Sequence, residues 1–289
     1  LDADVLRDRY TVREFDKVIV VTLARDHGWL FAGREWDRST GTLGPVLRRT
    51  VDDRRLLTPT ALELLLELFR PLVRIDSVED ETVEMRARAG ELLAPAASPL
   101  SLQGGDLLVP SYRYFDREMT IRSIQSVPWT YLRVGEISRS RLTAAFESAF
   151  AAPLVGSRRR VELVAIRARP HQPATTLRLA PQGNPSRPLI GARVRVYEQL
   201  PTDEQPNPPY LELMTDRFGR VEIPRPAGDP LRRLLVHSGG AVLANVPFLP
   251  GLEREVSMEL PDDSPRLEAE GSLAILQGEL IDVVARRSV

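Results

Sequence analysis

The segment PLIGARVRVYEQL (residues 188–200) opens the part of the chain with the clearest strand pattern. The pattern continues as YLELMTDRFGRVEIP (210–224), LRRLLVHSGGAVLANVPFLPG (231–251) and REVSMEL (254–260). Val194 and Val196 alternate with Arg193, Arg195 and Tyr197, a period of two that is typical of a strand with one buried face. Each piece has the length of a strand and is bounded by turn residues. We therefore predict a β-domain over this region.

Two turns punctuate the region. Asp216-Arg217-Phe218-Gly219 separates two apolar stretches and predicts a hairpin in which Gly219 adopts a positive φ. Ser238-Gly239-Gly240 predicts a second hairpin between its flanking apolar runs.

Gly191-x-x-Val194 and Thr215-Asp216-x-x-Gly219-x-Val221-x-Ile223 resemble the transthyretin-like, carboxypeptidase-regulatory-like β-sandwich modules. The resemblance covers about residues 186–262. It implies an immunoglobulin/transthyretin-like β-sandwich. Because such modules are usually accessory domains without catalysis of their own, it is informative about fold rather than function.

Composition indicates a globular protein with more than one core. The chain has 289 residues, of which 43% are hydrophobic, a formal net charge of −1 and no cysteine. A near-neutral chain has no overall field that would attract nucleic acid or an anionic membrane. The absence of cysteine excludes disulfides and thiolate chemistry. The apolar runs are too short for a transmembrane segment.

Residues 1–157 are predicted to form a β-rich domain with two short helices. A hairpin is expected about Asp26-His27-Gly28, and a helix near 59–70 that ends before Pro71. Two similar segments follow, beginning at Pro71 and Pro110, each predicting a hairpin; SH3-like barrels are built from such meanders. The apolar spacing over 140–150 predicts the second helix.

Residues 158–262 are assigned to the sandwich, with Val161 to Ala168 as its first strand. The proline-flanked segment from Pro201 to Pro209 is predicted to be a long loop.

Residues 264–289 are predicted to form a C-terminal helix that continues beyond Val289. Leu273, Leu276, Leu280 and Val283 follow a three-four-three spacing, which is typical of a helix that packs through one apolar stripe. We expect this stripe to contact a protein partner, either a second copy or another subunit. The alternative is that the helix packs against the domains of its own chain.

No motif for catalysis or for a cofactor stands out in the sequence. Nucleophile elbows, HExxH, phosphate-binding glycine loops and EF-hand loops are absent, and His27, His171 and His237 are widely separated. We therefore expect no catalytic, metal or cofactor site. Arg158, Arg159 and Arg160 are interpreted as a solvated strand start rather than a phosphate site.

One aromatic group suggests a ligand surface. Tyr112, Tyr114, Trp129 and Tyr131 could form a face for carbohydrate or peptide, with a sheet core as the favoured alternative.

The sequence hypothesis is thus a non-enzymatic structural or adhesive subunit of an exported or envelope-associated bacterial assembly. The localisation rests on the sandwich resemblance and on a chain that starts at Leu1. The alternatives are a carbohydrate- or peptide-binding module and, third, an accessory region of a larger enzyme.

Overall fold

The structure is a computed structural model that describes residues 15–79, 82–91, 98–151, 159–201 and 207–287, together with Val5 and Leu154. It divides the chain into two compact units, Leu1–His171 and Gln172–Val289. Strands dominate both units, which confirms the predicted mainly β fold. Residues 202–206 of the predicted proline-flanked loop lie outside the described residues.

The first unit begins with a small sheet covered by a helix. Its elements are β1 (Lys17–Arg25), β2 (Trp29–Asp37), β3 (Thr42–Leu43), β4 (Leu47–Val51) and α1 (Leu57–Leu68). β1 and β2 form the predicted antiparallel hairpin. The helix predicted near 59–70 is confirmed and begins two residues earlier, after a short 3₁₀ turn. Leu64 and Leu68 of α1 pack against Phe31 and Val51, which joins helix and sheet in one core.

The next seven strands form a small barrel. They are β5 (Leu72–Glu79), β6 (Thr82–Ala87), β7 (Leu107–Phe115), β8 (Ile121–Ser126), β9 (Thr130–Ser138), β10 (Arg141–Ser148) and β11 (Val161–Arg167). The strands pair in the order β11-β5-β6-β10-β9-β7-β8, and β11 also pairs with β7, so six strands close on themselves. Alternate side chains such as Val73, Met85, Leu132 and Leu163 fill the interior. The two similar segments after Pro71 and Pro110 are hairpins β5–β6 and β7–β8.

The helix predicted over 140–150 is wrong, because this segment is strand β10. Leu142 and Ala144 are buried in the barrel, whereas Arg141 and Ala145 are exposed, which is a period of two. The same apolar residues also fit a helical spacing. Pairing with both β6 and β9 decides between the two, since tertiary context overrides local propensity.

A second correction concerns β11. The sequence placed it in the sandwich, but it pairs with β5 and β7 of the barrel. The first unit therefore extends to His171, beyond residue 157 but within the proline-rich interval from Pro153 to Pro188 in which the sequence predicts the domain boundary.

The second unit is a β-sandwich of two sheets followed by a helix. Its elements are β12 (Ala174–Pro181), β13 (Arg193–Tyr197), β14 (Leu211–Met214), β15 (Arg220–Pro224), β16 (Arg232–Ser238), β17 (Ala241–Phe248), β18 (Glu255–Leu260) and α2 (Ser264–Arg287). One sheet has the order β15-β12-β18 and the other β14-β13-β16-β17. Leu177, Val194, Ile223, Leu234 and Met258 are among its buried side chains.

The turn at Asp216–Gly219 does not close the hairpin that the sequence predicted. β14 pairs with β13 in one sheet, whereas β15 pairs with β12 in the other, so the turn carries the chain between sheets. The turn itself has the expected chemistry, since Asp216 Oδ1 accepts hydrogen bonds from the amides of Phe218 and Arg220 at 2.8 and 2.9 Å. Gly219 has φ +69°, which confirms that prediction.

The second predicted hairpin, β16–β17, is also confirmed.

The C-terminal helix is confirmed as α2, a 24-residue helix. Within the described part of the chain, no helix combines the length and the apolar character that a membrane crossing requires.

Candidate functional site

The first turn of α2 is fixed to the sandwich by Arg266. Its Nη2 donates to the backbone carbonyl of Ser238 at 2.7 Å, and its Nε donates to Asp263 Oδ1 at 2.7 Å. A further ion pair with Glu270 follows along the helix. The Arg266 hydrogen bond holds the pKa of Asp263 below its usual range, with a smaller contribution from Ser238. Together these contacts attach the start of the helix to the β16–β17 turn.

Beyond this attachment, α2 exposes a large apolar surface. Every residue from Leu267 to Ile281 is exposed, as are Val283 and Val284. The four predicted interaction residues are 53–63% exposed, with Leu273 at 55%, Leu276 at 60%, Leu280 at 63% and Val283 at 53%. Ile275, Ile281 and Val284 widen the exposed apolar area. We call Leu273, Leu276, Leu280 and Val283 the α2 stripe.

This exposure is energetically costly. Burial of a side chain of this size is worth about 1.5–3 kcal/mol relative to exposure. An isolated helix is marginal in water and gains most of its stability from packing of its apolar face. The α2 stripe therefore has the properties of a surface that is covered by another protein segment.

The four aromatic residues of the second candidate surface do not share one face of the barrel. Tyr112 packs against the barrel core, and its ring centroid lies 6.2 Å from that of Tyr114, which is two residues along β7 and therefore on the same face. Tyr131 neighbours Leu132 on β9, and Leu132 is fully buried inside the barrel, so strand alternation directs Tyr131 outward. Trp129 precedes β9 with φ +50°. Carbohydrate or peptide binding by these residues stays a prediction.

The histidines are in unrelated environments. His27 is almost fully exposed beside Asp26, His171 Nδ1 lies 3.4 Å from the carbonyl of Arg169, and His237 lies in β16. Burial and the nearby Arg195 and Arg193 lower the pKa of His237. Among the described residues, no cluster of three or more histidine or acidic side chains could hold a metal ion.

A buried ionic network was missed by the sequence reasoning. Lys17 Nζ lies 2.9 Å from Glu35 Oε1 and 2.7 Å from Asp37 Oδ2, and Arg70 Nε lies 2.7 Å from Glu35 Oε2. Both carboxylates are almost fully enclosed. The available signal was that Lys17 is the only lysine and that Glu35 and Asp37 interrupt an apolar strand. The network joins β1, β2 and the end of α1, so its first role is structural.

Comparisons with known proteins gave only distant similarities. No protein family model and no curated protein sequence matches the chain. Among solved structures, the group B streptococcus pilus 2b backbone protein is similar at 10% identity and a TM-score of 0.24, covering 86% of this chain and 98% of that chain. The major pilin subunit BcpA of Bacillus cereus is similar at 8% identity and a TM-score of 0.21, covering 85% and 70%. Similarity at these TM-scores carries no argument about the function of this chain.

Proposed function

We propose that this chain is a non-enzymatic structural subunit of an exported or envelope-associated bacterial assembly, and that it associates through α2. The observation that supports the proposal is the α2 stripe, whose four side chains are each more than half exposed on a helix attached to the sandwich by its first turn. A helix of this kind presents an apolar surface without burying it in its own unit. The role of α2 in this proposal is to associate with another protein chain, not to catalyse a reaction.

The partner that the helix fits is a second copy of itself in antiparallel orientation. If Gly278 of one helix lies opposite Gly278 of the other, Leu273 faces Val283 and Leu276 faces Leu280. The apolar positions are then matched, as an isologous two-fold interface requires.

The direct test replaces Leu276 and Leu280 by aspartate and measures association by sedimentation velocity over a range of micromolar concentrations. We expect the wild-type chain to dimerise with rising concentration and the double variant to remain monomeric. The control introduces aspartate at Leu56 and Leu62 instead, which are 53% and 57% exposed in the first unit. The control should dimerise like the wild type.

A concentration series distinguishes self-association from binding of a different partner. A wild-type chain that stays monomeric at all concentrations would contradict self-association. Loss of monomer stability in Leu276→Asp/Leu280→Asp without a change in association would show that the helix belongs to its own core.

A further inference from the structure

The outer wall of the barrel contains a cavity lined by four arginines. Its volume is about 500 Å³, and its walls come from β5, β6, β7, β11 and the turn after β6. The charged lining consists of Arg74, Arg86, Arg88 and Arg113, with Glu162 as the acidic residue. We call this the arginine cavity.

Strand register forces two of these arginines together. Arg74 of β5 is directly opposite Arg86 of β6, and like charges at opposed positions destabilise a sheet. Both guanidinium groups use the same carboxylate, since Asp76 lies 2.9 Å from Arg74 Nη2 and 3.5 Å from Arg86 Nε. One carboxylate cannot neutralise two cations, so this pair retains positive charge.

Arg113 is the most enclosed of the four. Its side chain is 13% exposed and pairs with Glu162 through Nη1 at 3.2 Å. Its Nε is buried and has no hydrogen-bond acceptor among the described residues. Burial lowers the pKa of Arg113, with Glu162 opposing that effect. Because this Nε has almost no accessible surface, Arg113 contributes positive charge to the cavity wall rather than that donor.

The carboxylates around the cavity are fewer than its arginines, which favours the binding of an anion. Among the residues that the structure describes, the four arginines have three carboxylate partners, which are Asp76, Glu162 and Asp16, the last at 3.1 Å from Arg88. The remaining lining residues are apolar, but Leu72, Val73 and Val164 among them are almost completely buried, so charged and polar groups dominate the accessible wall. A cavity of this size with convergent charged groups can hold a small anion.

We propose that the arginine cavity binds a small anion through a phosphate or carboxylate group. Planar guanidinium groups present paired donors that match the oxygens of both groups. Arg74 and Arg86 contact the oxyanion from the two opposed strands, and Arg113 adds positive charge to the cavity wall.

The test uses isothermal titration calorimetry with pyrophosphate, inorganic phosphate and citrate as probes. At least one probe should bind saturably, and added sodium chloride should weaken it. The variant Arg74→Gln/Arg86→Gln should weaken binding by about tenfold or more, because charge-assisted hydrogen bonds are lost. Binding of the phosphates alone would identify a phosphate ligand, and binding of citrate alone a carboxylate ligand.

A matched control exists in the sandwich. Arg193 and Arg195 also share one carboxylate, that of Glu212, at 3.3 and 3.1 Å. Arg193→Gln/Arg195→Gln therefore removes the same charge from the outer face of β13 and should leave binding unchanged. Arg113→Gln should also weaken binding, because it removes positive charge from the cavity wall, with circular dichroism used to check folding. No saturable binding by any probe, or equal losses in the two double variants, would overturn the proposal.

Discussion

Arg70 Nε donates a hydrogen bond of 2.7 Å to Glu35 Oε2, and both side chains are almost completely enclosed in the first unit. Glu35 Oε1 also accepts from the Arg70 amide at 3.1 Å and from Lys17 Nζ at 2.9 Å. One carboxylate thus connects the end of α1 to both strands of the first hairpin.

Glu35→Gln should lower the free energy of unfolding by about 3–5 kcal/mol, because Arg70 and Lys17 would lose a buried counter-charge. Urea unfolding followed by circular dichroism measures the change. The control is Glu67→Gln, whose exposed ion pair with Arg49 should be worth about 0–1 kcal/mol. Equal losses in the two variants would contradict the structural role of the network.

Gly219→Ala should destabilise the sandwich by more than about 1 kcal/mol. Gly219 has φ +69°, and a Cβ there would lie 2.6 Å from the Leu179 carbonyl oxygen. Gly183→Ala separates the two effects, since Gly183 has φ +76° with no atom within 4 Å of a Cβ. From highest to lowest, the expected urea midpoints are those of the wild type, Gly183→Ala and Gly219→Ala. A Gly219→Ala midpoint equal to that of the wild type would exclude the clash.

Thr215→Val should cost about 1–3 kcal/mol, because the valine keeps the shape but leaves two buried backbone groups without partners. Thr215 Oγ1 donates to the Leu189 carbonyl at 2.6 Å and accepts from the Ala192 amide at 2.9 Å. Thr22→Val is the control, because the Thr22 hydroxyl makes an exposed hydrogen bond to the Ala32 carbonyl. Thermal unfolding of both variants should show a clear loss only for Thr215→Val.

Acidic pH should weaken the contact between Arg266 and Asp263 at the start of α2. The pKa of Asp263 is lowered in the folded chain by the Arg266 hydrogen bond. A lowered folded pKa means that the contribution is fully present above the unfolded value of about 4 and is lost as pH falls through the folded pKa. The NMR resonance of Arg266 Nε–H should therefore shift only at acidic pH, below about 4, where Asp263 of the folded chain becomes protonated. Asp263→Asn should abolish this pH dependence, and an unchanged wild-type resonance would contradict it.

Several elements could be predicted because their signals are local. The alternation around Val194, the turn chemistry of Asp216 and Gly219, the β16–β17 hairpin and the apolar spacing of α2 each depend on neighbouring residues. These are the features that the structure confirms. The same holds for α1, whose end is set by Pro71.

The errors occur where distant segments decide the outcome. The apolar spacing of residues 141–148 fits a helix and a strand equally well. Their pairing with β6 on one side and β9 on the other decides that they form a strand. The turn after β14 has the local chemistry of a hairpin, but β15 finds its partner in β12. No local pattern encodes that choice, because strand pairing is made between residues far apart in sequence.

The sequence by itself determined a β-rich chain with a terminal apolar helix, because strand alternation, turn residues and helical spacing are properties of short segments. Only the tertiary structure decided which strands close the barrel and which form the sandwich. It also brought Arg74, Arg86 and Arg113 to one cavity and Lys17 to Glu35 and Asp37. Such groupings depend on the register between strands and on the low dielectric of the folded interior, neither of which exists until the chain has folded.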